Sequence, residues 1–313
     1  MNTDPSQSSL TRRALVKTAV ASASLSLPIV AEGAEESPVH IATNTYPWLT
    51  FAKRKGEAIT LHADELLGSI ASTGVTGYEP VIGKPEEFDL LGDRLKSHEL
   101  EMRSIYVVST LHEKVAAAES IESVLAIGQR AVEAGVKIIV TNPSPVAWGQ
   151  PNGKSDDDLK IQSEAMDQLG EKLGKIGLTL AYHNHDVELE LGAREFHHML
   201  TATNPEYVKF CLDAHWVFRG CGDSQVALFD VVSHYHERIV ELHLRQSVGG
   251  IWTEVFSLEG DIDYRRLFRF LAEKQIVPHL VLEQAVEAKT PETLDVVAAH
   301  RESAANLSAA FQR

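Results

Sequence analysis

Residues Leu178–Leu191 read LTLAYHNHDVELEL. The apolar positions Leu178, Leu180 and Ala181 run into His183, Asn184, His185 and Asp186, and carboxylates follow at Glu188 and Glu190. A strand buried on both faces reads as a short apolar run of this kind. Polar groups massed at its C-terminal end mark the place where such a strand hands chemistry to the mouth of a site. The fold therefore turns on whether other strands end in the same way.

They do. Short apolar runs recur at Val39–Thr43, Gly77–Pro80, Met102–Val108, Lys137–Val140, Leu178–Tyr182, Val208–Leu212, Ile239–Leu244 and His279–Leu282. Amphipathic stretches at helical spacing separate them: Leu61–Ser72, Pro85–Ser97, Ala116–Ala134, Asp156–Ile176, Ala193–Ala202, Ser224–Tyr235 and Tyr264–Glu273. An eighth, Pro291–Phe311, has Thr290 as its expected N-cap and Pro291 at its first turn. Eight strands, each followed by a helix, predict a single-domain α/β (β/α)8 TIM barrel, a fold of about 250 residues. No glycine fingerprint follows the first strand, which disfavours an open doubly wound sheet. The longest connections, Thr141–Ser155 and Gln246–Gly260, follow the fourth and seventh strands, on the active face of a barrel.

Residues 1–34 stand apart. Thr11-Arg12-Arg13-Ala14-Leu15-Val16-Lys17 resembles a twin-arginine export motif, an apolar run from Thr18 to Ala31 follows, and small residues between Ala31 and Ala34 suit cleavage. The expected division is an export signal over residues 1–34 and the barrel over residues 35–313. Resemblance to twin-arginine substrates implies a bacterial protein exported folded to the periplasm, with the translocation machinery as a partner and no stable membrane insertion after processing. The formal net charge of −15 argues against a nucleic-acid partner, since phosphate neutralisation needs a basic face. Two cysteines, Cys211 and Cys221, exclude a disulfide framework, although their pairing in an oxidising compartment stays open. Cys211 reads as inert strand interior.

Strand ends supply a short polar set: Glu79, His183, His185, Asp213, His215, His243 and Glu283. In a barrel these ends converge, so a divalent cation can be shared among residues distant in sequence. A mixed imidazole and carboxylate set suits Mn, Co, Zn or Fe better than Mg.

The stretches Tyr182–Asp186, Leu212–Val217, Leu242–Arg245, Gly260–Tyr264 and Val281–Glu283 together resemble the xylose isomerase-like barrel superfamily, often labelled sugar phosphate isomerase/epimerase. Its members include tagatose epimerase-like enzymes, inosose dehydratase and endonuclease IV. The resemblance implies one divalent metal ion held by His183, Asp213, His243 and Glu283. His183 stands where many relatives have Glu, so only Glu283 remains of the two metal-bound glutamates that epimerases of this superfamily use. Arg245 stands where Lys is common, followed by Gln246 in place of Asp.

Further roles follow from position. Glu283 and His185 are expected to handle protons. Arg245, His215, Trp216, Glu79 and Glu188 are candidate substrate contacts, with Glu190 a solvated or orienting neighbour of Glu188. Tyr106 and Trp48 are weaker candidates, and His197 and His198 are expected to face solvent. The implied activity is a metal-dependent isomerase or epimerase that forms an enediolate from a non-phosphorylated keto- or aldo-sugar. A lyase or hydratase acting on 3-keto-glycosides or related keto-sugars is the alternative, and a non-catalytic sugar-binding barrel the third reading. The small-molecule carbohydrate is the expected partner, with a homo-oligomer open.

Overall fold

The computed structural model describes residues 39–150 and 153–311. The expected export signal lies outside the described residues. Eight parallel strands appear where the apolar runs place them: β1 Ile41–Asn44, β2 Gly77–Glu79, β3 Ser104–Tyr106, β4 Ile138–Thr141, β5 Thr179–His183, β6 Val208–Asp213, β7 Ile239–Leu244 and β8 His279–Leu282. Their order around the sheet is β2-β1-β8-β7-β6-β5-β4-β3. Parallel bridges Gly77↔Glu101 and Val81↔Tyr106 join β2 to β3 and close the ring. The (β/α)8 barrel is thus confirmed, with helices on the outside and apolar residues buried between the two layers.

Four elements depart from the sequence reading. A helix, Thr45–Lys55, follows β1 directly, with Pro47 in its first turn and Gly56 ending it at φ 69°. A second unforeseen helix, Ala214–Gly220, starts at Asp213, whose side chain caps it by accepting from the Trp216 amide. The loop after β7 contains a small hairpin pairing Ser247–Val248 with Ile251–Trp252. The last helix spans Val296–Phe311 and so begins later than Pro291. The amides of Thr293 and Leu294 are drawn to the Glu254 carboxylate instead, and Asp295 receives the Ala298 amide as the helix opens.

Register decides what meets inside. Partners across a parallel pair point to the same side of the sheet. His183 pairs with Cys211, Asp213 with His243, and His243 with Val281. All of these face the barrel interior, where His183, Asp213, His243 and Glu283 bring donor atoms within 4.8 Å of one another, while Cys211 and Glu241 precede Asp213 and His243 by two residues and so lie one step deeper on β6 and β7.

The loop 142–155 is anchored at its far end. Lys154 is buried and places its Nζ 2.6 Å from Glu195 Oε1, which Gln162 also reaches at 2.8 Å. Helix Asp156–Lys175 starts beside it with a reciprocal Ser155–Asp158 capping box and three acidic residues in its first turn. Removing one partner of a buried ion pair strands the other charge. Lys154→Ala is expected to destabilise the fold by about 3–5 kcal/mol, read from the urea midpoint.

Candidate metal and substrate site

The carboxylate of Glu283 is held from three directions. Arg245 Nη2 donates to Oε2 at 2.8 Å, Asn44 Nδ2 donates to Oε1 at 3.0 Å, and His243 Nδ1 lies 3.3 Å from Oε2. Burial alone would push this carboxyl up, but Arg245 and His243 outweigh it and hold Glu283 well below the usual range. Asp213 spends one oxygen on the Trp216 amide, while Oδ2 has no hydrogen-bond donor and sits 3.6 Å from Arg245 Nη2. Burial raises Asp213 to about 7 against the pull of Arg245, with Glu283 adding to the rise.

Arg245 is fully buried and is itself fixed by stacking. Its guanidinium carbon lies 4.2 Å from the Trp252 ring centroid and 4.9 Å from that of Trp216. Its main-chain carbonyl accepts from the Tyr264 hydroxyl at 2.6 Å. Gln246, the neighbour of Arg245, ties the loop below with bonds to Ser257 and Ile262. It packs so close to Gly260 (φ 155°) that a Cβ there would stand 2.3 Å from its side chain.

Two imidazoles complete the inner level. Donor atoms of His183, Asp213, His243 and Glu283 all lie within 4.8 Å of one another, and all four residues are buried. His243 turns Nδ1 toward Glu283 and Nε2 toward Glu79 and Glu241, at 3.1 and 3.2 Å. Burial would lower His243, yet Cys211, Glu79 and Glu283 hold it well above the usual histidine range. His183 is pushed well down by burial, then by His243 and His185. Glu79, Glu241, Asp213 and Glu283 are four carboxylates in the barrel interior, and Arg245 is the permanent cation beside them. Glu283 is held ionised, while burial raises Asp213 to about 7 and pushes Glu241 well above the usual carboxylate range. The orphaned Asp213 Oδ2 and the N2O2 donor set fit a divalent metal.

Above this level opens a cavity of about 460 Å³. Its polar floor includes Asn44, Glu79, His183, Arg245 and Glu283, and Tyr46, Tyr106, Trp148 and Trp216 form aromatic walls. His185 lines it too, with Nδ1 unbonded; burial lowers its pKa to about 4, so the ring is a neutral base.

The remaining candidates occupy other places. His215 points Nε2 at Ser247 Oγ, 2.9 Å away, and is not among the cavity-lining residues. Glu188 is buried and accepts the His185 amide at 2.6 Å, which makes it an orienting rather than a solvated group, whereas Glu190 is exposed. Trp48 is core packing against His300. His197 is exposed as expected, but His198 is half-buried, with Nε2 3.3 Å from Ser163 Oγ. Cys211 and Cys221 are both free.

Sequence reasoning missed Asn44, Glu241, Trp148 and Trp252. Glu241 carried a legible signal, because Glu241, His243 and Arg245 alternate along one strand and so share its inner face.

Comparison with known proteins agrees with this architecture. The family model described as xylose isomerase-like TIM barrel matches residues 67–307. The chain belongs to that family. Inosose dehydratase of Salmonella typhimurium is 24% identical over 148 residues, 43% of this chain and 49% of that protein, so the match spans about half the curated relative. A sugar phosphate isomerase/epimerase from Parabacteroides distasonis superposes with TM-score 0.67 at 20% identity, over 89% of this chain and 96% of that one. The 3-keto-D-glucoside 4-epimerase from E. coli gives TM-score 0.63 at 14% identity, over 85% and 97%. At these identities the superpositions show a shared fold.

A carboxylate that accepts the far N–H of a liganding histidine fixes its tautomer and orientation. Glu241→Ala is expected to weaken divalent-metal binding about 10- to 100-fold, measured by calorimetric titration of metal-stripped protein.

Proposed function

We infer that this member of the xylose isomerase-like TIM barrel family is a divalent-metal-dependent isomerase or epimerase of a non-phosphorylated keto- or aldo-sugar. The observation that carries the reading is the buried His183, Asp213, His243 and Glu283 cluster beneath a cavity whose wall holds a neutral histidine. A bound divalent ion supplies Lewis acidity, polarising a substrate carbonyl and acidifying the adjacent C–H.

The protein's own residues do the rest. His183, Asp213, His243 and Glu283 would hold the ion. His185, neutral and with Nδ1 unbonded, accepts a proton from substrate carbon, and Glu283 is the carboxylate placed to exchange one from the floor. Arg245 keeps Glu283 ionised and presents Nη1, which has no hydrogen-bond partner, to a substrate oxygen. Trp216 and Trp148 offer faces and edges to the sugar ring. Glu79 touches the cavity but is committed to His243 and Ser104. Glu188 orients the His185 main chain, and His215 braces the hairpin that carries Trp252.

Two observations bear on the substrate. Among the described residues lining the cavity, Arg245 is the one permanent cation, and it is already engaged by Glu283. A phosphate group would need more than that. The second reading, a lyase or dehydratase on keto-sugars such as 3-keto-glycosides, is favoured by His183 in place of a second glutamate and by the inosose dehydratase match.

Glu283→Gln is expected to cut kcat by at least about 100-fold with the circular dichroism spectrum retained. Unchanged turnover on a confirmed sugar would remove Glu283 from the chemistry. In deuterated water, isomerised sugar labelled at one carbon supports the first reading, and an unsaturated or cleaved product establishes the second.

We further propose that residues 1–34 direct the folded protein to the periplasm through the twin-arginine machinery. Replacing Arg12 and Arg13 together by Lys is expected to leave the protein in the cytoplasmic fraction of the cell. Undiminished periplasmic recovery would sink it.

A further inference from the structure

Directly beneath the carboxylate level lies a second set of donors. His183, Cys211 and His243 place one ligand atom each within 4.8 Å of one another, and all three residues are buried. Cys211 Sγ stands 3.7 Å from His183 Nδ1. The position is fixed by register: His183 pairs with Cys211, Asp213 pairs with His243, and Cys211 precedes Asp213 by two residues on the inner face of β6. At about 3.3 Å per residue, Cys211 and Asp213 sit roughly 6.6 Å apart along the strand. Both donor sets use His183 and His243, so one ion occupies one level or the other.

The two levels differ in softness and in competition. The upper one offers two carboxylates, and Arg245 Nη2 is already 2.8 Å from Glu283 and 3.6 Å from Asp213. A hard cation entering there must share its oxygens with a fixed guanidinium. The lower one offers two imidazoles and a sulfur. Cys211 makes contacts with His183, with His243 and, at 3.6 Å, with Glu241. Soft and borderline metals prefer thiolate and imidazole to carboxylate.

We propose that His183, Cys211 and His243 form a deeper N2S metal position that takes soft or borderline cations, zinc and cadmium above all, in place of the hard cations suited to the carboxylate level. Binding there converts the Cys211 thiol to a coordinated thiolate and releases its proton to solvent, while the metal keeps its oxidation state. His183 gives the site a second imidazole and so makes the pocket selective for such metals. The inference rests on the metal reading of the preceding subsection, but it concerns the ligand set and not turnover.

Cobalt(II) and cadmium(II) are the probes, added to the full mature protein after metal stripping. The expected result is one equivalent of cobalt with a near-ultraviolet thiolate-to-cobalt charge-transfer band. Cys211→Ser should abolish the band and weaken cadmium binding by at least about tenfold, leaving manganese binding within about twofold. Cys221→Ser should leave the band intact. Stoichiometric cobalt binding to the unmutated protein without the band overturns the N2S position while leaving the metal-enzyme reading standing. A band that survives in Cys211→Ser overturns it as well. Failure to bind any divalent metal overturns both. The band is read first in the unmutated protein, so a folding defect in the variant does not shield the proposal.

Discussion

The Arg245 guanidinium is the charge on which the barrel interior depends. It is fully buried, lies 2.8 Å from Glu283 Oε2 and 3.6 Å from Asp213 Oδ2, and is gripped by Trp252 and Trp216. A buried cation with a planar fork and aromatic faces against it has little freedom to move. It therefore sets where both carboxylates point and holds Glu283 ionised. Lys would carry the charge to the same place without fixing the geometry.

Below that level, polarity is passed down the barrel axis through one residue. His243 connects Glu283 above with Glu79 and Glu241 beneath, and Ser104 donates to the second oxygen of Glu79 at 2.7 Å. Barrel interiors are commonly filled with branched apolar side chains. Here a small buried cluster of Val140, Ala181 and Cys211 stands apart from the main core. Several of the buried polar atoms, among them Asp213 Oδ2, Glu241 Oε2, His185 Nδ1 and Arg245 Nη1, have no hydrogen-bond partner, and they cluster where a metal and a substrate would meet them.

The substrate side is built from loops rather than strands. Trp148 comes from the long connection after β4, Tyr46 from the helix that follows β1, and Trp216 from the helix that follows β6, while Trp252 on the hairpin after β7 stacks on Arg245 behind the cavity. The two long loops are pinned away from their tips: Lys154 to Glu195 after β4, Gln246 to Ser257 and Ile262 after β7. Rigid anchors with aromatic tips allow the walls of the cavity to vary while the floor stays fixed.

The amino-acid sequence by itself determined the eight strands, the barrel they close into, and a polar set at the strand ends from which the family resemblance singles out His183, Asp213, His243 and Glu283. Those features are written in local periodicity: apolar runs of strand length, polar residues at their ends, helices between. Glu241 is legible by the same alternation, although a carboxylate in mid-strand conflicts with the apolar rule. Tertiary structure alone decided which groups touch. That His243 faces Glu79, that Arg245 is stacked by Trp252, that His215 turns away to Ser247 and that Cys211 lies beneath His183 all depend on strand register and loop return. Apart from Arg245 and Trp252, which a hairpin return brings together, these contacts join residues from about thirty to more than one hundred and fifty positions apart, and they follow from how the ring closes, which no local pattern encodes.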